Sequence, residues 1–271
     1  MTPELFVLPP GHPLRPHVAH IFRVRARGTY AREIVLPRAG VEVLFNLGDP
    51  FCGAGAANGG STMELTTTRV GGVRTGPLHV RPTGVVDLVG VSLRAECCAE
   101  LLPVPAHELT SVSVEGDAVY DGVRELRERL GEAADFRAQC AILESWLLAR
   151  RRPDRRADAV RWACGELRRD ASDRGVSRVA EGLAVSPRHL RRLLTERVGV
   201  GPAAYVRLRR FTDALPLLHR RSHRTLSDVA HAAGYYDQPH FCRDFKTFAG
   251  MTPHEYLRVR GPVPGNVFLP S

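Results

Sequence analysis

Lysine is almost missing. Lys246 is the only one, and the other 37 basic residues are arginine. GC-rich coding produces that bias, and it leaves planar guanidinium forks, which suit guanine edges and phosphates better than flexible point charges do. No run of 18 apolar residues occurs, so no membrane-spanning helix is expected. No basic segment followed by an apolar core opens the chain, so no secretory leader is expected either. Six cysteines are present (Cys52, Cys97, Cys98, Cys140, Cys164 and Cys242), but no Cys-x-x-Cys pair occurs and no spacing resembles a zinc site. These absences read as a cytoplasmic chain with reduced thiols, no cofactor motif and no membrane partner. The vicinal pair Cys97 and Cys98 is either a thiol or metal sensor or two small buried side chains.

What is present is enough for two ordinary domains: 271 residues, 44% of them hydrophobic. The charge is unevenly spread. Residues 1–153 hold 17 Arg against 17 acids, whereas residues 154–271 hold 20 Arg and one Lys against 12 acids. The whole +9 excess therefore belongs to the second part, which points to a polyanion partner there.

Residues 1–95 carry short apolar runs punctuated by turn residues. "VEVLFNLGDPF" (41–51), "PLHVRPTG" and "VVDLVGVSL" read as strands of an antiparallel sandwich or barrel. "FCGAGAANGGST" (51–62) reads as a loop. From about residue 96 the period becomes helical: one short helix ended by Pro103, then longer ones over 117–131 and 134–151. In the last, Phe136, Cys140, Leu143 and Leu147 form a stripe, with Ile142 and Trp146 beside it. That stripe faces either its own core or a second subunit. "RRRPDRR" (150–156) marks a boundary, which gives a domain 1–153, a domain 154–260 and a tail 261–271.

The second domain contains a repeat. "SPRHLRRLLTERVGVGPAAYV" (186–206) aligns with "DQPHFCRDFKTFAGMTPHEYL" (237–257) at an offset of 51. Ser186 and Asp237 are helix caps. Pro187 falls at the first helical position, and Pro239 lies in the first turn. Gly199 and Gly250 stop the two helices. Leu190, Leu193 and Leu194 face inward in one copy, Phe241 and Phe245 in the other. Arg188, Arg191 and Arg192 are left outward in the first copy, and Gln238, His240 and Arg243 in the second. Upstream of each lies a shorter amphipathic helix with a small residue at the crossing, Ala180 or Ala230. Ala184 and Gly234 follow in a tight turn. Helix, short turn, helix is the helix-turn-helix pattern, here present twice.

Residues 158–257, above all "DVAHAAGYYDQPHFCRDFKTFAGMTPHEYL", resemble the DNA-binding domain of the AraC family of bacterial transcription regulators. The resemblance implies two helix-turn-helix units joined by a central helix, about 202–220, with both recognition helices in adjacent major-groove segments of double-stranded DNA. It assigns base contacts to Arg188, Arg191, Arg192, Gln238, His240 and Arg243, and phosphate contacts to Lys246 and the helix N-termini. RNA polymerase and a second copy of the chain are the protein partners it suggests. Three positions depart from the family pattern. Pro216 lies inside the central helix, where it should kink it or remove a backbone bond. Pro239 replaces a polar residue. Leu194 stands where Phe is usual.

The first domain bears a weaker resemblance to the sensor domain of some of these regulators, through "FNLGDPF" and "RPTGVVDLVGVSL". It implies a β-sandwich or cupin-like barrel that binds a small-molecule effector or dimerises. The His/Glu pattern of metal-binding cupins is absent. His17, His20, His79 and Asp87 are candidates to line a pocket, or are solvent-facing or core-satisfied groups. The expected fold is thus α+β: an antiparallel sandwich followed by helices, then an all-α domain. The expected function is sequence-specific transcription regulation without catalysis. A cysteine-based enzyme or repair protein fused to a DNA-binding domain, and an architectural DNA-binding protein, are the alternatives.

Overall fold

A computed structural model describes residues 3–27, 32–55, 62–170, 173–219, 225–261 and 264–269. Two antiparallel sheets face each other. The first has six strands in the order β1 (Glu4–Phe6), β2 (Val18–Arg27), β9 (Val85–Arg94), β4 (Gly40–Asn46), β7 (Thr68–Gly71) and β10 (Ser113–Glu115). The second runs β11 (Asn266–Leu269), β3 (Arg32–Val35), β8 (Leu78–Pro82), β5 (Phe51–Gly55) and β6 (Thr62–Leu65).

The run "VEVLF" is apolar nearly throughout because both faces of β4 are covered. Val41, Val43 and Phe45 pack with Leu126, Leu130, Leu143 and Trp146 of the helices α1 (Val123–Glu132) and α2 (Phe136–Arg150). Glu42 and Leu44 point the other way, into the space between the sheets. Gly90 on β9 keeps that space open, since a Cβ there would lie 2.5 Å from the Phe22 ring.

Several expectations need correction. The stripe on α2 packs in its own domain's core, one of the two readings left open: Cys140, Leu143 and Leu147 are buried there, with Phe136 partly buried against it. Residues 51–55 are strand β5 and Thr62 begins β6; the rest of the expected loop, 56–61, lies outside the described residues. The single short helix before Pro103 is instead a 3-10 segment, Ala95–Glu100, followed by a second, Ala106–Leu109. The 117–131 helix begins only at Val123, after Gly122 in a left-handed conformation.

The C-terminal helices are α3 (Ala157–Arg169), α4 (Asp173–Gly182), α5 (Pro187–Val198), α6 (Pro202–His219), α7 (Leu226–Ala232), α8 (Gln238–Ala249) and α9 (Pro253–Val259). Helix α6 continues through Pro216 to His219. The proline has no N–H to give the Thr212 carbonyl one turn earlier.

Residues 266–269, read from the sequence as part of a tail, form a strand. Strand β11 returns to the N-terminal sandwich and pairs with β3, Val267 opposite Ile34. Ile34, Leu36, Val73 and Ala95 share one continuous core with the C-terminal helices. Polar contacts cross the same boundary. Glu100 is buried and accepts hydrogen bonds from His17 (2.6 Å) and from Arg161 on α3 (2.8 Å). Burial alone would raise the Glu100 carboxyl, but those bonds and the neighbouring charges hold it below the usual range.

Candidate nucleic-acid interface and effector cavity

Both recognition helices begin and end for the reasons read from the repeat. Ser186 accepts a hydrogen bond from the His189 N–H at 3.2 Å, and Asp237 accepts one from His240 at 2.7 Å. Gly199 and Gly250 close α5 and α8 at φ of 96° and 72°. The turns before the helices are equally tight: Ala184 has φ 52° and Gly234 φ 82°. Leu190, Leu193, Leu194, Phe241 and Phe245 are buried.

The opposite faces are open. Arg188, Arg191 and Arg192 are exposed on α5, and Gln238, Arg243 and Lys246 on α8. Arg192 lies 3.9 Å from Glu196, a surface pair that holds it only loosely. His240 is half-buried, with its ring edge-on to Tyr235 at 5.2 Å and its Nε2 3.8 Å from Asp244.

Two features of this surface escaped the sequence reading. Tyr236, one residue before the α8 cap, is 88% exposed. The doubled tyrosine hinted at it, because Tyr235 alone fills the core. The second feature is a clamp: Arg207 on α6 grips the buried Asp244 on α8, donating to its Oδ1 from Nη2 at 2.7 Å and from Nε at 3.1 Å. This bond raises the Arg207 pKa. Both residues look like ordinary surface charges until the helices are packed.

A cavity of about 460 Å³ lies between the sheets. Its apolar wall includes Phe22, Leu44, Phe51, Val80 and Leu88. Its lining also includes His20, Arg38, Glu42 and Arg74 from the sandwich, Arg209, Thr212 and Pro216 from α6, and Asn266 and Phe268 from β11. Of the four N-terminal candidates, only His20 lines it. His17 is buried against Glu100, Asp87 pairs with Arg23 and Arg25, and His79 is not part of the wall. Burial, with Arg38 beside it, lowers His20 to about 4, so the ring is neutral at pH 7. Burial would raise Glu42, but Arg38 and Arg74 outweigh it and keep the group a carboxylate. The Nε atoms of Arg74 and Arg209 are buried without an acceptor among the described residues.

Cys97 and Cys98 are buried, and Cys98 donates to the Ala95 carbonyl. Burial pushes the Cys97 thiol up to about 11 and raises Cys98 further. Neither is a ready thiolate. Among the described residues no cluster of His, Cys, Asp and Glu could hold a metal ion, and no helix is long and apolar enough to cross a membrane.

Two short helical hairpins, each ending in a capped outward-facing helix and both carried by one long helix, define a double helix-turn-helix domain. Residues 179–259 match the family described as a helix-turn-helix domain. Residues 7–115 match a domain of unknown function, DUF6597. The chain is 33% identical over 78 residues to the uncharacterized HTH-type transcriptional regulator YpdC of Escherichia coli, and 36% identical over 78 residues to the HTH-type transcriptional activator RhaR of Yersinia pestis. Those matches cover 29% and 28% of this chain. The chain spans only 27% of the length of either relative. The architecture as a whole is similar to ToxT of Vibrio cholerae, with a TM-score of 0.53 over 88% of this chain and 98% of that one, at 11% identity. The ToxT-like arrangement of a sheet-rich domain followed by a helical one is the fold expected from the sequence.

Proposed function

We propose that this chain is a transcription regulator that binds double-stranded DNA sequence-specifically and responds to a small molecule held between its sheets. The observation that carries the reading is the pair of capped helices α5 and α8, both with arginine on the open face, in the part of the chain that holds the +9 excess. Arg188, Arg191, Arg192, Gln238, His240 and Arg243 read base edges, and Lys246 and the helix N-termini hold phosphates.

The effector is an amphipathic small molecule with an acceptor such as a carboxylate. A volume of about 460 Å³ lies in the range of small-molecule sites. The apolar wall suits a hydrocarbon body, and the unpartnered Nε atoms of Arg74 and Arg209 call for an acceptor. ToxT, which shares the fold, has been solved with an unsaturated fatty acid bound. A cysteine alkyl acceptor is disfavoured, because burial keeps the Cys97 and Cys98 thiols protonated. The regulator works in the cytoplasm, dimerises through its N-terminal part and acts with RNA polymerase.

Titration of fluorescent duplexes, one selected from a random pool and one random, tests the DNA reading. If about 5–8 phosphates are neutralised, log K falls against log salt with a slope of roughly −5 to −7. Arg243→Ala then costs about 1–3 kcal/mol on the selected duplex only. Lys246→Ala weakens both duplexes alike. A slope near zero, or equal losses for Arg243→Ala on both duplexes, refutes the reading.

A further inference from the structure

The last described strand belongs to both domains at once. Strand β11 alternates: Asn266 and Phe268 line the cavity, while Val267 between them is fully buried in the core shared with the DNA-binding helices. Its edge is fixed on the sandwich side by the β3 ladder and by Arg38, which donates to the Asn266 side chain at 2.8 Å. Asn266 in turn donates to Glu33. On the other side, the Gly265 N–H donates to the Tyr256 hydroxyl at 3.2 Å, and Gly261 donates to the Asn266 carbonyl at 3.0 Å. Tyr256 lies on α9 and packs its ring 5.4 Å from that of Phe245, on the inward face of recognition helix α8. An unbroken set of contacts therefore leads from the cavity wall to the second helix-turn-helix unit. Among the described residues no such strand serves the first unit, which meets the sandwich through the 3-10 segments Ala95–Glu100 and Ala106–Leu109.

We infer that β11 is a ligand-contacting strap: Asn266 and Phe268 touch the effector, and the strand passes its occupancy to α9 and α8. A ligand shifts a conformational balance only through contacts that differ between states. A strand with one face on the ligand and the other in the DNA-binding core supplies such contacts. The ligand half of this inference rests on the effector reading above.

Hydrogen exchange on the full chain tests the strap without any ligand. In Phe268→Ala, amides of α8 and α9 exchange about tenfold faster and those of α4 and α5 are unchanged. Equal acceleration in both units, or none in α8 and α9, overturns the strap. With cis-9-hexadecenoate as the probe, Phe268→Ala binds about tenfold more weakly than the unaltered chain. Unchanged affinity overturns the ligand contact. If the unaltered chain does not bind this probe, the proposed effector chemistry fails, and the exchange contrast still decides the coupling. If Phe268→Ala does not fold, Phe268→Leu keeps apolar bulk without the ring, and a change of about threefold is expected in the same places.

Discussion

In the first helix-turn-helix unit the core is aliphatic, built on Leu190, Leu193 and Leu194, and the end of the recognition helix leans on the N-terminal domain. Thr110 donates to the Gly199 carbonyl at 2.6 Å and Cys98 to the Arg197 carbonyl at 3.5 Å. In the second unit Phe211, Phe241, Phe245, Phe248, Tyr235 and Tyr256 form an aromatic cluster with centroids 5.1 to 5.6 Å apart. Arg207 clamps the recognition helix from α6. Two copies of one motif are thus held by different means. The first takes part of its support from the N-terminal domain, and the second supports itself apart from the returning strand. Changes inside the second unit should cost stability outright, whereas changes at the boundary with the N-terminal domain should loosen the first unit selectively.

Phe245→Ala carries the largest effect. The ring is fully buried and touches Phe211, Phe241 and Tyr256, so truncation removes apolar contact and leaves a cavity. The expected loss is about 4 kcal/mol in urea unfolding. A loss under about 1 kcal/mol would mean that the cluster repacks freely and that the second unit is not self-supporting.

The units also differ in how they could be read in advance. Both recognition helices were legible to the residue, because caps, stop glycines and inward positions are local and occur twice. The supports were not. Arg207 and Asp244 are neighbours only after α6 and α8 pack, and nothing in "YVRLRR" sets Arg207 apart from Arg209 or Arg210. Strand β11 is four residues long, and its partner Ile34 lies near the other end of the chain. Hydrophobic alternation that short cannot be told from a tail. The stripe on α2 was legible as a buried face, but periodicity alone does not say what covers it. The answer is the β-sheet that carries Val43 and Phe45.

Acid should act on the N-terminal domain first. His20 is held neutral, its pKa lowered to about 4 from an ordinary 6.5 by burial and by Arg38. The unfolded chain therefore takes up a proton in a window where the folded one does not. The contribution is fully present above pH 6.5 and is lost as pH falls from 6.5 toward 4. By pH 5 the loss is about 2 kcal/mol relative to pH 7. The Glu42 carboxyl, also lowered, adds a loss of the same sign at still lower pH. Urea unfolding of the unaltered chain and of His20→Gln at pH 7 and pH 5 checks the window. The variant should lose about 2 kcal/mol less, and an identical fall in both would remove His20 from the account.

Thr110→Val gives the smallest expected effect and separates the two units most directly. Valine keeps the shape of threonine and removes only the hydroxyl that bonds the Gly199 carbonyl. A net hydrogen bond of this kind is worth about 1 kcal/mol, so global stability should fall by roughly that amount. The location of the loosening matters more than its size. Gly199 closes α5, and Ala106, whose carbonyl lies 3.3 Å from where a Cβ on Gly199 would sit, crowds the same point. Losing the bond should therefore speed amide exchange at the end of α5 and weaken the contribution of Arg188, Arg191 and Arg192 to DNA binding. Among the described residues no side chain donates to the carbonyl of Gly250, which closes α8, and the nearest atom to a Cβ there is a carbon of Pro77, at 3.6 Å. Exchange at the end of α8 should stay as it was. Equal acceleration at Gly199 and Gly250 would mean that the two units move as one body and that the N-terminal domain does not hold the first of them separately.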